Sequence, residues 1–265
     1  MIWVFGLCGL VIGIVLNLCA DSLPVDRHLH RPRCAQCQHT RPVLAWSGLA
    51  AYVTRQHRCK HCGARLSIRH ILVELGTAGL FVFCWLRGGT PFVLVTHVLY
   101  GSVFILVLVI DLEHKLIPHV IMLPAIAMAI VATFINPDPS YPARGLLGGI
   151  GGLVSALILY GLGVLFARLM GKLRGQAVSE VAFGFGDVTL ITFIGLVVGV
   201  PDVIFALVIG ILSGGVAATL FLLVRGSIQK RYVAFTAIPY GPFLILGGSV
   251  MLYFGVEFMN WYLAR

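Results

Sequence analysis

Two aspartates, Asp111 and Asp187, take equivalent places in a chain that has only ten acids. Asp111 closes the apolar run "SVFILVLVI" and opens "DLEHKLIP", while Asp187 follows "FGFG" and opens "VTLITF". Two carboxylates brought together share one proton, because like charges about 3 Å apart cannot easily both ionise. The ionised member can take a proton from water while the protonated one polarises a carbonyl, which is aspartyl peptide hydrolysis with neither metal nor covalent intermediate. Gly184 and Gly186 are expected to let the backbone turn tightly and a substrate approach Asp187. The same acids could instead cap or anchor helix ends, or serve a proton- or ion-coupled transporter. A transporter is expected to hold its acids near the bilayer midplane, whereas these two fall at the ends of apolar runs.

A second constellation is made of sulfur. "CAQC" (Cys34, Cys37) and "CKHC" (Cys59, Cys62) are two Cys-x-x-Cys pairs separated by 21 residues. Each pair can grip one side of a tetrahedral ion while the intervening segment closes as a loop, the pattern of a structural zinc site. Four thiolates leave no open coordination position, so such a metal folds the loop and does no chemistry. Redox-active pairs or unconnected thiols are the alternatives. His28, His30, His39, His57 and His61 lie nearby, and Cys8, Cys19 and Cys84 fall in apolar runs as small packing residues.

The elements that must position these groups are membrane helices. The chain has 265 residues, 59% of them hydrophobic and 11% charged, far from the near-even balance of a soluble domain. Eight spans are expected, at 1–20, 70–86, 91–110, 118–136, 144–167, 188–201, 202–224 and 241–262. The sixth is short and runs to Pro201, so it is expected to be tilted, broken or covered by neighbours. Of the 19 basic residues, all but Arg87, Arg144 and Arg265 fall in four loops on one face, 21–69, 111–119, 168–187 and 225–240. The positive-inside rule therefore assigns those loops to the cytoplasm and both termini to the outside. The net charge of +9 follows from topology and attraction to anionic headgroups, and a nucleic-acid partner is excluded for want of any recognition pattern.

The fold class read from the sequence is an all-α polytopic membrane protein with about eight transmembrane helices and a small zinc-binding cytoplasmic loop domain after the first. The parts are a first helix at 1–20, the tetracysteine domain at 21–69 and a core of seven further helices at 70–265. The glycines of "RGLLGGIGGL" (Gly145, Gly148, Gly149, Gly151, Gly152), with Gly210, Gly214 and Gly215, are read as close helix–helix packing and not as a nucleotide loop.

Taken in order, several segments resemble the type IV prepilin peptidases, bacterial inner-membrane aspartyl proteases of the GxGD kind that also methylate the amino group they expose. The resemblance runs from "GIVLNLCADSLP" through the cysteine pairs, "LSIRHILVELGTAGLF", "DLEHKLIP" and "GFGD" to "IPYGPFLILGG". It implies that Asp111 and Asp187 are the catalytic pair and that Cys34, Cys37, Cys59 and Cys62 hold zinc. It implies substrates of the prepilin or pseudopilin type, from type IV pilus or type II secretion systems. Their short basic leader is cut after glycine, with Glu113 or Glu180 as nearby acids for it. It also implies S-adenosylmethionine as methyl donor, with Glu74 and the cysteine loop tied to that second activity. A peptidase that has lost methylation, and a non-enzymatic transporter or assembly factor with a zinc docking loop, are the alternatives. Two positions depart from the family's pattern: His119 follows Ile-Pro where Asp is usual, and Thr189 stands where Lys is usual. A retuned pH optimum or substrate preference is expected from them.

Overall fold

The computed structural model of the chain describes residues 1–26, 28–174, 184–229 and 239–264. Glu180 and the middles of two basic loops lie outside the described residues. Among those described, the backbone is almost wholly helical: α1 (Ile2–Asp26), α2 (Gly48–Val53), α3 (Arg69–Arg87), α4 (Pro91–His114), α5 (His119–Ile135), α6 (Tyr141–Arg174), α7 (Phe185–Val198), α8 (Asp202–Gln229) and α9 (Gly241–Leu263). Each of the eight expected spans is a helix. Six, namely α1, α3, α4, α6, α8 and α9, are long and apolar enough to cross a membrane, and α5 and α7 are shorter apolar helices. The protein is a multi-pass membrane protein. Several helices outrun their apolar runs: α6 and α8 continue into the basic loops, and α1 continues through Asp21, which the sequence reading had put in a loop.

The chain divides into two compact units, Met1–Ile110 and Asp111–Arg265. In the first, α1 lies against α3 through Gly9 and Gly13, a small-xxx-small pair that the sequence reading passed over. A methyl group at Gly9 would stand 2.6 Å from the Ala78 Cα, and one at Gly13 would stand 2.7 Å from the Glu74 Cα. Polar contacts then pin the end of α1 to the start of α3. The Asn17 Nδ2 donates to the His70 carbonyl at 3.0 Å, and the Asp21 carboxylate takes Arg69 and the His70 ring. That partner is why Asp21 can stay on the helix.

Between these pinned ends sits the cysteine loop. It has a short 3-10 turn (Val43–Ala45), α2, and a small core of Ala45, Ala51 and Leu66 backed by Tyr52. The Tyr52 hydroxyl donates to the Leu66 carbonyl, which closes this core.

In the second unit the shortness of α7 has a physical account. At 14 residues it spans roughly 21 Å of rise, less than the about 30 Å of hydrocarbon. It is unbroken, and its side chains from Val188 to Val198 are almost all buried, among α5, α6, α8 and α9. Glycines admit these neighbours. A methyl group at Gly148 would overlap the Gly195 carbonyl and stand 2.6 Å from the Gly199 Cα, and one at Gly152 would stand 2.7 Å from the Ile191 carbonyl. Gly210 and Gly214 likewise abut α9 and the Tyr240 just before it. Gly151 and Gly215, grouped with them from sequence, face open space instead: each lies about 100° round the helix from its neighbouring contact glycine, past the edge of the packed face.

Candidate active site

Asp111 lies on the last full turn of α4, whose end is set by Lys115. That residue takes a left-handed φ of 53°, and its N–H donates to the Asp111 carbonyl at 2.9 Å. The turn carries the chain through Ile117 to Pro118, the cap of α5. Asp187 lies on the first turn of α7, with Gly184 as the capping residue. The Gly184 N–H donates to the Asp187 Oδ2 at 2.8 Å, and the Asp187 N–H donates to the Gly184 carbonyl at 3.1 Å. The carboxylate thus closes the helix N-terminus on itself, where the helix dipole favours negative charge.

Asp111 and Asp187 share a neighbour: Gly186, next to Asp187, borders Ile117, and Gly241, against Asp111, borders it too. Asp111 is 5% exposed, and its Oδ2 is buried without a hydrogen-bond partner. Such a pair can hold one proton between two carboxylates and pass it to or from a third group.

The expectation that these two glycines serve a tight backbone turn needs correcting. Gly184 has φ −89° and ψ 163°, an extended conformation open to any residue, and Gly186 is helical. Neither uses glycine's backbone freedom. What Gly186 supplies is space: a methyl group there would stand 2.8 Å from the Ile117 Cβ and 3.2 Å from its carbonyl. The same Ile117 borders Gly241, whose backbone presses on the Asp111 carboxylate. Ile117, Gly186 and Gly241 therefore bring the ends of α4, α7 and α9 together. Gly241 and the preceding Tyr240, whose phenol feels the Asp187 charge, were legible from sequence only as part of "IPYGPF". Glu113 is exposed at the end of α4. His119 meets the Phe185 ring edge-on at 5.6 Å, and the Thr189 hydroxyl donates back to the Gly186 carbonyl.

In the loop, the four cysteine sulfurs lie within 4.8 Å of one another and could hold a metal ion. Two nearly equivalent turns build the cluster. The Gln38 N–H bonds the Cys34 carbonyl and the Gly63 N–H bonds the Cys59 carbonyl, both at 2.9 Å, with Gln38 and Gly63 in the left-handed region. An ion about 2.3 Å from each sulfur sets sulfur–sulfur edges of about 3.8 Å; the observed Cys34–Cys62 and Cys37–Cys59 separations are 3.5 and 3.6 Å. The Cys37 N–H brings the Cys34 thiol down to about 6, and the Cys62 and His61 N–H groups hold Cys59 below the ordinary thiol value. Cys37 goes the other way. The His39 N–H favours its thiolate, but burial and the three neighbouring sulfurs prevail and push it up to about 12. Thiolates this crowded ionise together only around a cation, so the donor set fits a dication.

Glu74 is fully buried on α3. It accepts from the Ser47 hydroxyl at 2.8 Å, the Gly48 N–H at 2.6 Å and the Leu49 N–H at 3.1 Å. Both of its oxygens are thereby spent on the N-terminus of α2.

Residues 7–88 match the Bacterial Peptidase A24 N-terminal domain, and residues 98–219 match the Type IV leader peptidase family. Three relatives each carry the name prepilin leader peptidase/N-methyltransferase. The one from Myxococcus xanthus is 30% identical over 235 residues, which cover 87% of this chain and 65% of that protein. The Bacillus subtilis relative is 27% identical, over 99% of this chain and 98% of its own length. The Pseudomonas putida relative is 29% identical, over 89% and 78%. No solved structure matches.

Proposed function

The chain belongs to the type IV leader peptidase family, and from that premise we propose that it is a membrane aspartyl endopeptidase that trims prepilins or pseudopilins and then N-methylates the residue it exposes. The observation that carries the reading is the gathering of Asp111 and Asp187, from different helix ends, about Ile117: Gly186 beside Asp187 packs on Ile117, and Gly241 packs on both Ile117 and the buried Asp111 carboxylate. They act as one acid–base pair. One carboxylate draws a proton from water as it attacks the scissile carbonyl while the other protonates the carbonyl oxygen. Collapse of the tetrahedral diol passes a proton to the leaving amine. Burial of Asp111 keeps its charge poorly screened, so the pair couples strongly.

Cys34, Cys37, Cys59 and Cys62 hold zinc, which ties the two turns together and fixes the loop. Binding of this kind supplies about 10–16 kcal/mol of folding free energy to small knuckles. S-adenosylmethionine supplies the methyl group. Glu74 does not touch that donor, because its oxygens are committed to α2; it serves methylation by holding the loop in place. The basic loops assign the catalytic pair to the cytoplasmic side of a bacterial inner membrane, where substrates with basic leaders arrive.

The test is intact-mass measurement of a prepilin co-expressed with the wild-type protein or with Asp187→Asn. Loss of the leader and gain of one methyl, both absent in the variant, is the expected result. Cleavage that persists in Asp187→Asn overturns the pair, and cleavage without methylation removes the second activity.

A further inference from the structure

The cysteine loop carries a feature that peptide hydrolysis does not use. From residue 27 to residue 73 the sequence contains nine Lys and Arg and not one Asp or Glu. A substrate with a basic leader gains nothing from such a surface. Within it the fold makes a small cavity of about 50 Å³, whose walls include Arg41, Arg58, Lys60, His39 and the metal-site Cys59, and no carboxylate. Two of these cations stand on fixed backbone. The Arg41 N–H bonds the Pro32 carbonyl and its own carbonyl accepts from the Trp46 indole, while Arg58 pairs with Arg65 across an antiparallel bridge. Three cations around one cavity exceed the charge of the single Cys59 thiolate there and leave room for a further anion, and the guanidinium fork suits phosphate oxygens.

Beside the cavity the surface changes character. Pro42 and Ala45 line it, and between them Val43 and Leu44 are 73% and 54% exposed. Both residues are on the 3-10 turn, which projects them away from the loop's small core. Exposed apolar side chains next to a basic pocket form an interfacial pattern, the one part for the acyl boundary and the other for headgroups. The loop is also tethered. It runs between membrane helices α1 and α3, whose facing ends are pinned by Asn17, Asp21, Arg69 and His70. It cannot leave the bilayer surface, where the abundant anion is a lipid phosphate.

We propose that this loop contains a binding site for the phosphate of an anionic phospholipid, with Arg41, Arg58 and Lys60 around the headgroup and Val43 and Leu44 dipped below it. The site is independent of peptide cleavage and stands or falls apart from it.

The experiment is hydrogen–deuterium exchange over residues 39–60 of the full-length protein in nanodiscs. The discs are of phosphatidylcholine alone or of phosphatidylcholine with phosphatidylglycerol. Exchange is expected to slow roughly tenfold with the anionic lipid. The triple variant Arg41→Gln/Arg58→Gln/Lys60→Gln, its metal content measured to establish that the loop is folded, is expected to lose the difference. Equal exchange in both discs for the wild type, or an undiminished difference in the triple variant, overturns the site. Slowing by inorganic phosphate in phosphatidylcholine discs overturns the lipid assignment. Val43→Ser/Leu44→Ser is expected to lose protection at residues 43–46 and keep it at 58–60; full protection in both stretches overturns the insertion.

Discussion

Gly241 lies so tightly against Asp111 that a methyl group at position 241 would overlap the carboxylate Oδ2 and stand 3.1 Å from its Cγ. No turn or positive φ asks for glycine there; the aspartate does. Gly241→Ala is expected to push Asp111 aside and lower prepilin cleavage about a hundredfold, the scale of a 1 Å misplacement. Gly215→Ala, which meets nothing within 4 Å, is expected to leave the rate within about twofold. Initial cleavage rates of the two purified variants check this, and equal rates would show that Asp111 tolerates the shift.

Gly148 and Gly151 are three residues apart on α6, yet their substitutions should differ. Gly148→Ala forces α6 away from the Gly195 carbonyl, at a cost of about 1–3 kcal/mol for overpacking. Gly151→Ala has open space and is expected to be neutral or slightly stabilising. Thermal unfolding in detergent should lower the midpoint for the first variant only. A matching drop in the second would mean that its open face is covered by something else.

The contrast shows what the sequence could and could not disclose. Apolar runs located all eight apolar helices, six of them long enough to cross a membrane, because hydrocarbon demands length and composition whatever the tertiary fold. The cysteine pairs were legible because ligand spacing is local. Which glycine faces a neighbour was not, since Gly151 and Gly148 differ only by a rotation about the helix axis. Gly9 and Gly13 escaped notice for the same reason. Gly186 was read as backbone freedom when its role is room for Ile117, a residue about 70 positions away in the chain. Glu74 is legible as part of the second expected span, which is α3, but its partners Ser47, Gly48 and Leu49 come from a loop whose folding no pattern around Glu74 announces.

Glu74→Gln is the sharper probe of that residue. A carboxylate serves three donors from α2; a carboxamide has one acceptor oxygen and would turn its NH₂ toward at least one N–H. Stranding a buried donor costs about 1–3 kcal/mol. Amide exchange over residues 47–53 is expected to quicken, and methylation to fall with it, while prepilin cleavage continues. Unchanged exchange with lost methylation would instead mean that Glu74 contacts the methyl donor.

Thr189 stands where the resemblance drawn from the sequence implies a lysine, and restoring one has an effect of definite sign. A cation introduced near the paired carboxylates favours their ionised form, so the proton that limits activity at low pH leaves more easily. Thr189→Lys is therefore expected to shift the acid limb of the pH–rate profile to lower pH. Position 189 is two residues from Asp187 on α7, and helix geometry turns such pairs to different faces. The Lys must therefore reach round the first turn, and the shift should be small and weaken as salt is raised. The Thr189 hydroxyl now donates to the Gly186 carbonyl, so Thr189→Val serves as the control for loss of that bond alone. If the acid limb moves equally in Thr189→Val and Thr189→Lys, the bond to Gly186 sets the profile. If it moves only with lysine, charge at this position tunes the pair.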